Sequence, residues 1–77
     1  MIIQELDTVV LSHDIDEHGL RQDDIGAVVH CYKNNEAFEV EFVTGEGETI
    51  AVLTLTQADV RPIRRQEILH VRELMAA

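Results

Sequence analysis

Apolar residues occur along this chain in short blocks separated by polar, turn-forming residues. The clearest block alternates strictly, with Phe38, Val40 and Phe42 on one side and Glu39 and Glu41 on the other. A period of two is typical of a β-strand that has one buried face and one face in water. The pattern therefore predicts that the three apolar side chains enter a core and that the two carboxylates face solvent.

Four further strands are predicted from short blocks rich in β-branched residues, at residues 7–11, 27–32, 48–55 and 60–63. Asparagine tolerates the left-handed backbone of tight hairpins, so residues 33–36 are predicted to turn between the second and third strands. The predicted core comprises Val9, Leu11, Val29, Phe38, Val40, Phe42, Leu53 and Leu55. Leu20 is expected to add an apolar plug from the first loop.

Five short strands joined by tight turns predict an all-β fold. The expected architecture is a small five-stranded SH3-like barrel over residues 1–63, and an OB-type barrel is the main alternative. Its fifth strand contains Pro62, which lacks an N–H group and therefore favours an edge position or the end of the strand.

The C-terminal tail, residues 64–77, has a different pattern. Ile68, Val71 and Met75 recur at helical spacing with Leu74 beside them, and good helix formers surround them, so a helix is favoured. An extended tail is the competing interpretation. The apolar stripe is expected to pack on its own barrel, to form a homodimer interface or to meet a partner protein.

Length and composition restrict the class of protein. Seventy-seven residues form one small domain of marginal stability. No apolar run is long enough to span a membrane, and no leader resembles a signal peptide. One cysteine, Cys31, cannot form an internal disulfide, which indicates a reducing, cytoplasmic compartment.

Charge adds a second restriction. Fifteen acidic and six basic residues give a formal net charge of −9. A surplus of this sign disfavours nucleic acid and anionic membranes as partners. The acids are concentrated before the tail, whereas the tail is slightly basic. This asymmetry indicates either solubility with attraction of the tail to the body, or an acidic face for a basic partner.

Candidate chemistry is sparse. His13 and His18 flank three carboxylates in the first predicted loop and are the weak candidates for metal ligands, but a solvated acidic loop is the favoured interpretation. His30 and Cys31 are neighbours on a strand, so their side chains point to opposite faces and cannot form a catalytic pair. We therefore predict no catalytic residue, no metal site and no cofactor.

Several strings in the sequence resemble a family of short bacterial proteins, the domain of unknown function family forty-nine twenty-six. They are Leu6-Asp7-x-Val9-x-Leu11, Asp14-Ile15, Glu17-His18-Gly19-Leu20, Gly26-x-Val28-Val29, Glu39-Val40-Glu41-Phe42, Thr49-x-Ala51 and Thr54-Leu55. The resemblance covers about residues 5–63. It implies an SH3-like barrel and no established activity. It also implies a gene often placed beside that of another small protein, in the manner of a toxin–antitoxin pair.

Together these observations predict a non-enzymatic, acidic protein-interaction module, an antitoxin-like partner of a neighbouring small protein. The expected partner is basic. The residues predicted to bind it are Glu39, Glu41, Ile68, Val71 and Met75. The alternative function is an accessory or metal-binding barrel subunit of an enzyme complex, which would use His13 and His18.

Overall fold

The computed structural model describes residues 2–74, and its regular structure is almost entirely β. The strands are β1 (Thr8–Leu11), β2 (Ile25–Cys31), β3 (Phe38–Val43), β4 (Thr49–Leu55) and β5 (Val60–Pro62). They form one antiparallel sheet in the order β4-β3-β2-β1-β5. This confirms the predicted all-β, five-stranded fold. Strands β4 and β5 remain the two edges of the sheet, so the barrel is not closed.

The core lies inside the curve of this sheet. Phe38, Val40 and Phe42 are buried there, as their alternation predicts. Leu20 is also buried and is held by an isolated bridge to Ile15, which confirms the apolar plug. The remaining buried members of the core are Ile3, Val9, Leu11, Val28, Leu55 and Val60. Every strand therefore contributes to one hydrophobic cluster.

One predicted core position on β2 is wrong. The pairing of β2 with β3 shifts register between Val28 and His30, which marks a β-bulge. Val28 is fully buried opposite Val40, whereas the Val29 side chain is 42% exposed. The predicted Leu53 is only partly buried, at the border of the core.

The asparagine turn between β2 and β3 is confirmed. Lys33–Asn35 forms a single 3₁₀ turn, and both Asn34 and Asn35 have positive φ, at 62° and 58°. Asparagine adopts this region more readily than most residues, because its short polar side chain bonds locally. A second 3₁₀ turn, Asp16–His18, lies in the loop between β1 and β2.

Gly26 lies inside β2, because this strand begins two residues before the predicted start at residue 27. A Cβ atom at this position would lie 2.6 Å from Cγ1 of Val40 and 2.8 Å from Cε1 of Phe42. The absence of a side chain therefore allows the two β3 residues to pack directly against the β2 backbone.

The tail does not form the favoured helix: residues 64–74 contain one turn and are otherwise irregular. A short helix is marginal in water unless an apolar face packs against the protein. Here Ile68 and Val71 are 93% and 92% exposed, so that packing is missing. Met75, the third member of the stripe, lies outside the described residues. No helix within residues 2–74 has the length and hydropathy needed to cross a membrane.

We expect Gly26→Ala to lower the free energy of unfolding by about 1–3 kcal/mol, because the added methyl group overpacks the core. Gly45→Ala is the matched control, since a Cβ there meets nothing within 4 Å. Urea denaturation followed by circular dichroism measures both. Equal stability of the two variants would contradict the close packing of β2 on β3.

Candidate partner-binding surface

The convex side of the sheet carries an acidic surface centred on β3. Its register places Glu39 between His30 on β2 and Thr54 on β4. Glu41 lies between Ala27 on β2 and Val52 on β4. We call this surface the outer sheet face, defined by His30, Tyr32, Glu39, Glu41, Val52 and Thr54.

Neutral hydroxyl groups hold both carboxylates in place. The Tyr32 hydroxyl donates a hydrogen bond to Oε1 of Glu39 at 3.0 Å, and the Thr54 hydroxyl donates to the same oxygen. The Thr49 hydroxyl donates to Oε2 of Glu41 at 2.7 Å. Because these donors carry no charge, they orient the two carboxylates without neutralising them.

Tyr32 connects this network to β2. Its ring meets the ring of His30 edge-to-face, with 4.8 Å between the centroids. The hydrogen bond to Glu39, together with partial burial and the nearby negative charge, raises the pKa of Tyr32. The phenol therefore stays protonated at neutral pH and remains a donor to Glu39.

Apolar side chains lie beside the two carboxylates. Val29, Tyr32 and Val52 are each between two-fifths and one-half exposed. Single exposed apolar residues are normal on a protein surface. Tyr32 and Val52, however, lie next to Glu39 and Glu41, and lysine and arginine combine an apolar stem with a cationic head. The outer sheet face therefore has the chemistry to bind basic side chains of another protein.

Two ion pairs attach the tail to the sheet. In the first, Arg61 on β5 forms a two-point contact with Glu67, at 2.8 Å and 2.7 Å. The Arg64 N–H also donates to Glu67. The bonds from Arg61 and Arg64 lower the pKa of Glu67 to about 2. Glu67 is therefore ionised and paired throughout the neutral range.

The second attachment involves a buried carboxylate. Arg72 donates to both oxygens of Asp24, from Nε at 2.8 Å and from Nη2 at 2.5 Å, and Nη2 also donates to the carbonyl of Gly19. Burial by itself raises the pKa of Asp24, but the bonds from Arg72 and from the Arg21 N–H outweigh that effect. The pKa of Asp24 is consequently held below its ordinary value.

Polar contacts, and not the predicted stripe, thus hold the tail. Ile68, Leu69 and Val71 lie between the two ion pairs and are exposed. Packing of this stripe on the barrel, the first of the three destinations expected from the sequence, is therefore wrong for Ile68 and Val71. The structure leaves both side chains accessible to another molecule.

The predicted partner-binding residues of the tail line two different clefts. Ile68 lines a cleft with Val10, Ile25 and Arg61. Val71 lines a separate cleft with Leu20 and Phe42, two residues of the core.

We expect Arg72→Ala to lower the free energy of unfolding by about 1–3 kcal/mol, because it leaves the Asp24 carboxylate buried without its partner. Arg65→Ala is the matched control in the same segment, since Arg65 is exposed and forms none of the tail's ion pairs. Amide hydrogen exchange across residues 67–74 should accelerate only in the Arg72 variant. Unchanged exchange there would show that the ion pair does not hold the tail.

His13 and His18 are not brought together as metal ligands. His13 uses both ring nitrogens, with Nε2 at 2.8 Å from Oδ1 of Asp59 and Nδ1 at 2.9 Å from the Asp14 carbonyl. His18 lies exposed in the 3₁₀ turn Asp16–His18. Within residues 2–74, no three His, Cys, Asp or Glu side chains are grouped in a way that could hold a metal ion. His13 instead links the first loop to the turn before β5.

The link between His13 and Asp59 should respond to pH. The hydrogen bond to Asp59 and the one to the Asp14 carbonyl raise the pKa of His13 above 6.5. The stabilisation from this pair is therefore lost as pH rises through the folded-state pKa of His13, and it is lost again in acid as pH falls through the pKa of Asp59, which the same hydrogen bond lowers. We expect Asp59→Asn to return the pKa of His13 towards 6.5 in an NMR titration. Asp16→Asn makes an equal charge change in the loop that contains His13 and should leave the pKa of His13 raised. An identical response of the His13 pKa to both variants would contradict a specific pair of His13 and Asp59.

Cys31 is a half-buried thiol whose Sγ atom donates to the Ile3 carbonyl at 3.4 Å. Burial and the nearby charges of Glu5 and Asp7 raise its pKa. A raised pKa reduces the thiolate fraction, which is the reactive form of cysteine. Cys31 therefore stabilises the N-terminal segment and is poorly suited to act as a nucleophile.

Sequence reasoning missed the residues that organise the surface. Thr49 and Thr54 orient the carboxylates, and Asp24 binds the tail. The roles of Thr49 and Thr54 could have been predicted from the sequence, because a hairpin between the third and fourth predicted strands brings β4 threonines opposite β3 glutamates. The pairing of Asp24 with Arg72 spans 48 residues and has no local signal.

The molecule is thus a small, open, five-stranded antiparallel β domain with an acidic convex face and a tail attached by ion pairs. The family model described as Domain of unknown function (DUF4926) matches residues 5–62. Since the match covers all five strands and most of the chain, the chain belongs to this family. The tail lies beyond the matched residues. No curated protein and no solved structure matches the chain.

Proposed function

We propose that this protein is a non-enzymatic binding module whose outer sheet face contacts a basic partner protein. The observation that carries the proposal is that uncharged hydroxyl groups hold the Glu39 and Glu41 carboxylates in place beside exposed apolar side chains. Charge complementarity of this kind accelerates association and selects partners of the opposite sign.

The distribution of ion pairs supports the same proposal. Only three of the fifteen carboxylates, those of Asp24, Asp59 and Glu67, pair with a basic side chain within 4.0 Å among residues 2–74. Two of these pairs use Arg61 of β5 and Arg72 of the tail, so these two basic side chains serve the internal structure. Most of the negative charge therefore stays available to another molecule.

The partner that fits best is a small basic protein encoded beside this one, which would make the module antitoxin-like. The basis is the resemblance to a family whose genes often lie next to that of another small protein. An acidic module that covers a basic surface would block that surface from binding nucleic acid, since such binding depends on lysine and arginine contacts to phosphate.

The test is co-expression with the product of the neighbouring gene, followed by co-purification and measurement of the dissociation constant. Glu39→Lys combined with Glu41→Lys should weaken binding about tenfold or more, because both charges facing the partner are reversed. Circular dichroism should show a folded protein, since both side chains reach solvent.

Glu46→Lys combined with Glu48→Lys is the matched control. It makes the same change in net charge, but in the exposed turn between β3 and β4. We expect this variant to retain most of the affinity. An equal loss of affinity in both variants would show that net charge alone explains the effect. Full affinity of the Glu39 and Glu41 variant would exclude the outer sheet face as the binding site.

A further inference from the structure

Strand β4 is an open edge of the sheet. It lies at one end of the strand order and pairs only with β3, through six of the seven residues Thr49–Leu55. In an antiparallel strand, every second residue points its N–H and C=O groups away from its neighbour. On β4 these groups face outwards, and no further backbone hydrogen bond involves them within residues 2–74.

Beyond its first three residues, this edge lacks the features that usually prevent pairing with another chain. Edge strands are commonly short, charged, interrupted by proline or bulged. β4 contains no charged residue and no proline. Its β-bulge lies near the start of the strand, where Ile50 is skipped between Thr49, which pairs with Val43, and Ala51, which pairs with Phe42, so the register is regular over residues 51–55. The other edge is different, because β5 has three residues, contains Pro62 and has its Arg61 side chain engaged by Glu67.

The two glutamates of the outer sheet face lie immediately behind this edge. Glu39 and Glu41 each accept a hydrogen bond from a threonine of β4, which holds both charges beside the strand. They are two residues apart on β3, a spacing equal to the side-chain repeat of any extended strand. A strand added to β4 would lie about 9–10 Å from β3, within reach of long basic side chains.

A second copy of this chain is a poorer occupant. Pairing of β4 with itself brings seven uncharged residues beside the edge, so that strand contributes no cation to Glu39 or Glu41. It also combines two chains that each carry a net charge of −9. A basic extended segment would form hydrogen bonds with the free backbone groups of β4 and would also place cations near Glu39 and Glu41.

We propose that β4 is a docking strand, to which the basic partner adds an extended segment with lysine or arginine at alternate positions. This inference rests on the proposed function and specifies the mode of binding. Main-chain hydrogen bonds to the β4 edge supply affinity in such strand addition, and alternate side chains supply specificity. Glu39 and Glu41 would each bind one basic side chain of the added strand, and these two basic residues would be two positions apart.

The probe is a capped seven-residue peptide of alternating lysine and valine, titrated into isotope-labelled full-length protein. We expect NMR shifts and slowed amide exchange concentrated in Thr49–Leu55. An alternating glutamate and valine peptide should bind at least about tenfold more weakly, because its charge is reversed. A lysine and valine peptide in which every internal amide is N-methylated should also bind at least about tenfold more weakly, because it keeps the charges but loses the backbone N–H donors.

Protein variants test the edge directly. Val52→Lys places a charge in the middle of β4, at a half-exposed position opposite Glu41, and should weaken binding of the lysine and valine peptide at least about tenfold. Thr8→Lys makes the same charge change at an exposed position on β1 and should alter affinity by less than about twofold. An amide spectrum of each variant establishes that it is folded.

Several outcomes overturn the inference. Equal binding of the N-methylated peptide, or shifts confined to regions outside β4, would show charge attraction without strand addition and would leave the proposed function standing. A concentration-dependent dimer in which β4 is already protected would assign the edge to a second copy. Absence of lysine and valine peptide binding would also refute strand addition, whereas the co-purification experiment decides the proposed function independently.

Discussion

The alternation along β3 is the constraint on which the rest of the structure depends. This strand lies between β2 and β4 in the sheet, and it provides three buried side chains of the core. Because the side-chain period of a strand is two, burial of Phe38, Val40 and Phe42 forces Glu39 and Glu41 to the opposite face. A shift of one residue would bury two carboxylates, so the register that builds the core also builds the acidic surface.

The tail follows a different physical rule. Its apolar residues suggest a packed helix, yet the contacts that hold it are the ion pairs of Glu67 and Arg72. The Arg72 pair reaches a carboxylate that is buried, where breaking one partner is costly. The exposed stripe between the two attachments gains nothing from burial in the isolated chain.

Much of the fold could be predicted from local pattern. Strands were recognised within about two residues at each end, because alternation and turn chemistry are local signals. The bulge at Val28–His30, which exposes Val29, could not be predicted, since it depends on how β2 pairs with β3. The burial of Ile3 and the pairing of Asp24 with Arg72 depend on distant residues in the same way.

The candidate surface shows the same division between local and distant information. Glu39 and Glu41 were identified from alternation alone, whereas their orientation depends on Thr49, Thr54 and Tyr32 from neighbouring strands. The helical period assigned to Ile68 and Val71 predicted an apolar face packed on the barrel, but the segment is irregular and both side chains are exposed. Periodicity reports which side chains share a face only if the secondary structure is correct.

The open sheet connects stability with binding. A domain of this size buries a small fraction of its surface and is marginally stable. The outer edge of β4 is open, so the domain lacks the backbone hydrogen bonds that a closed barrel would form along that edge. A partner strand that occupied the edge would restore those bonds, and its binding energy would add to the stability of the folded state by mass action. The feature that makes the isolated domain weaker is thus the same feature that would make its complex both stronger and selective for a basic, extended chain.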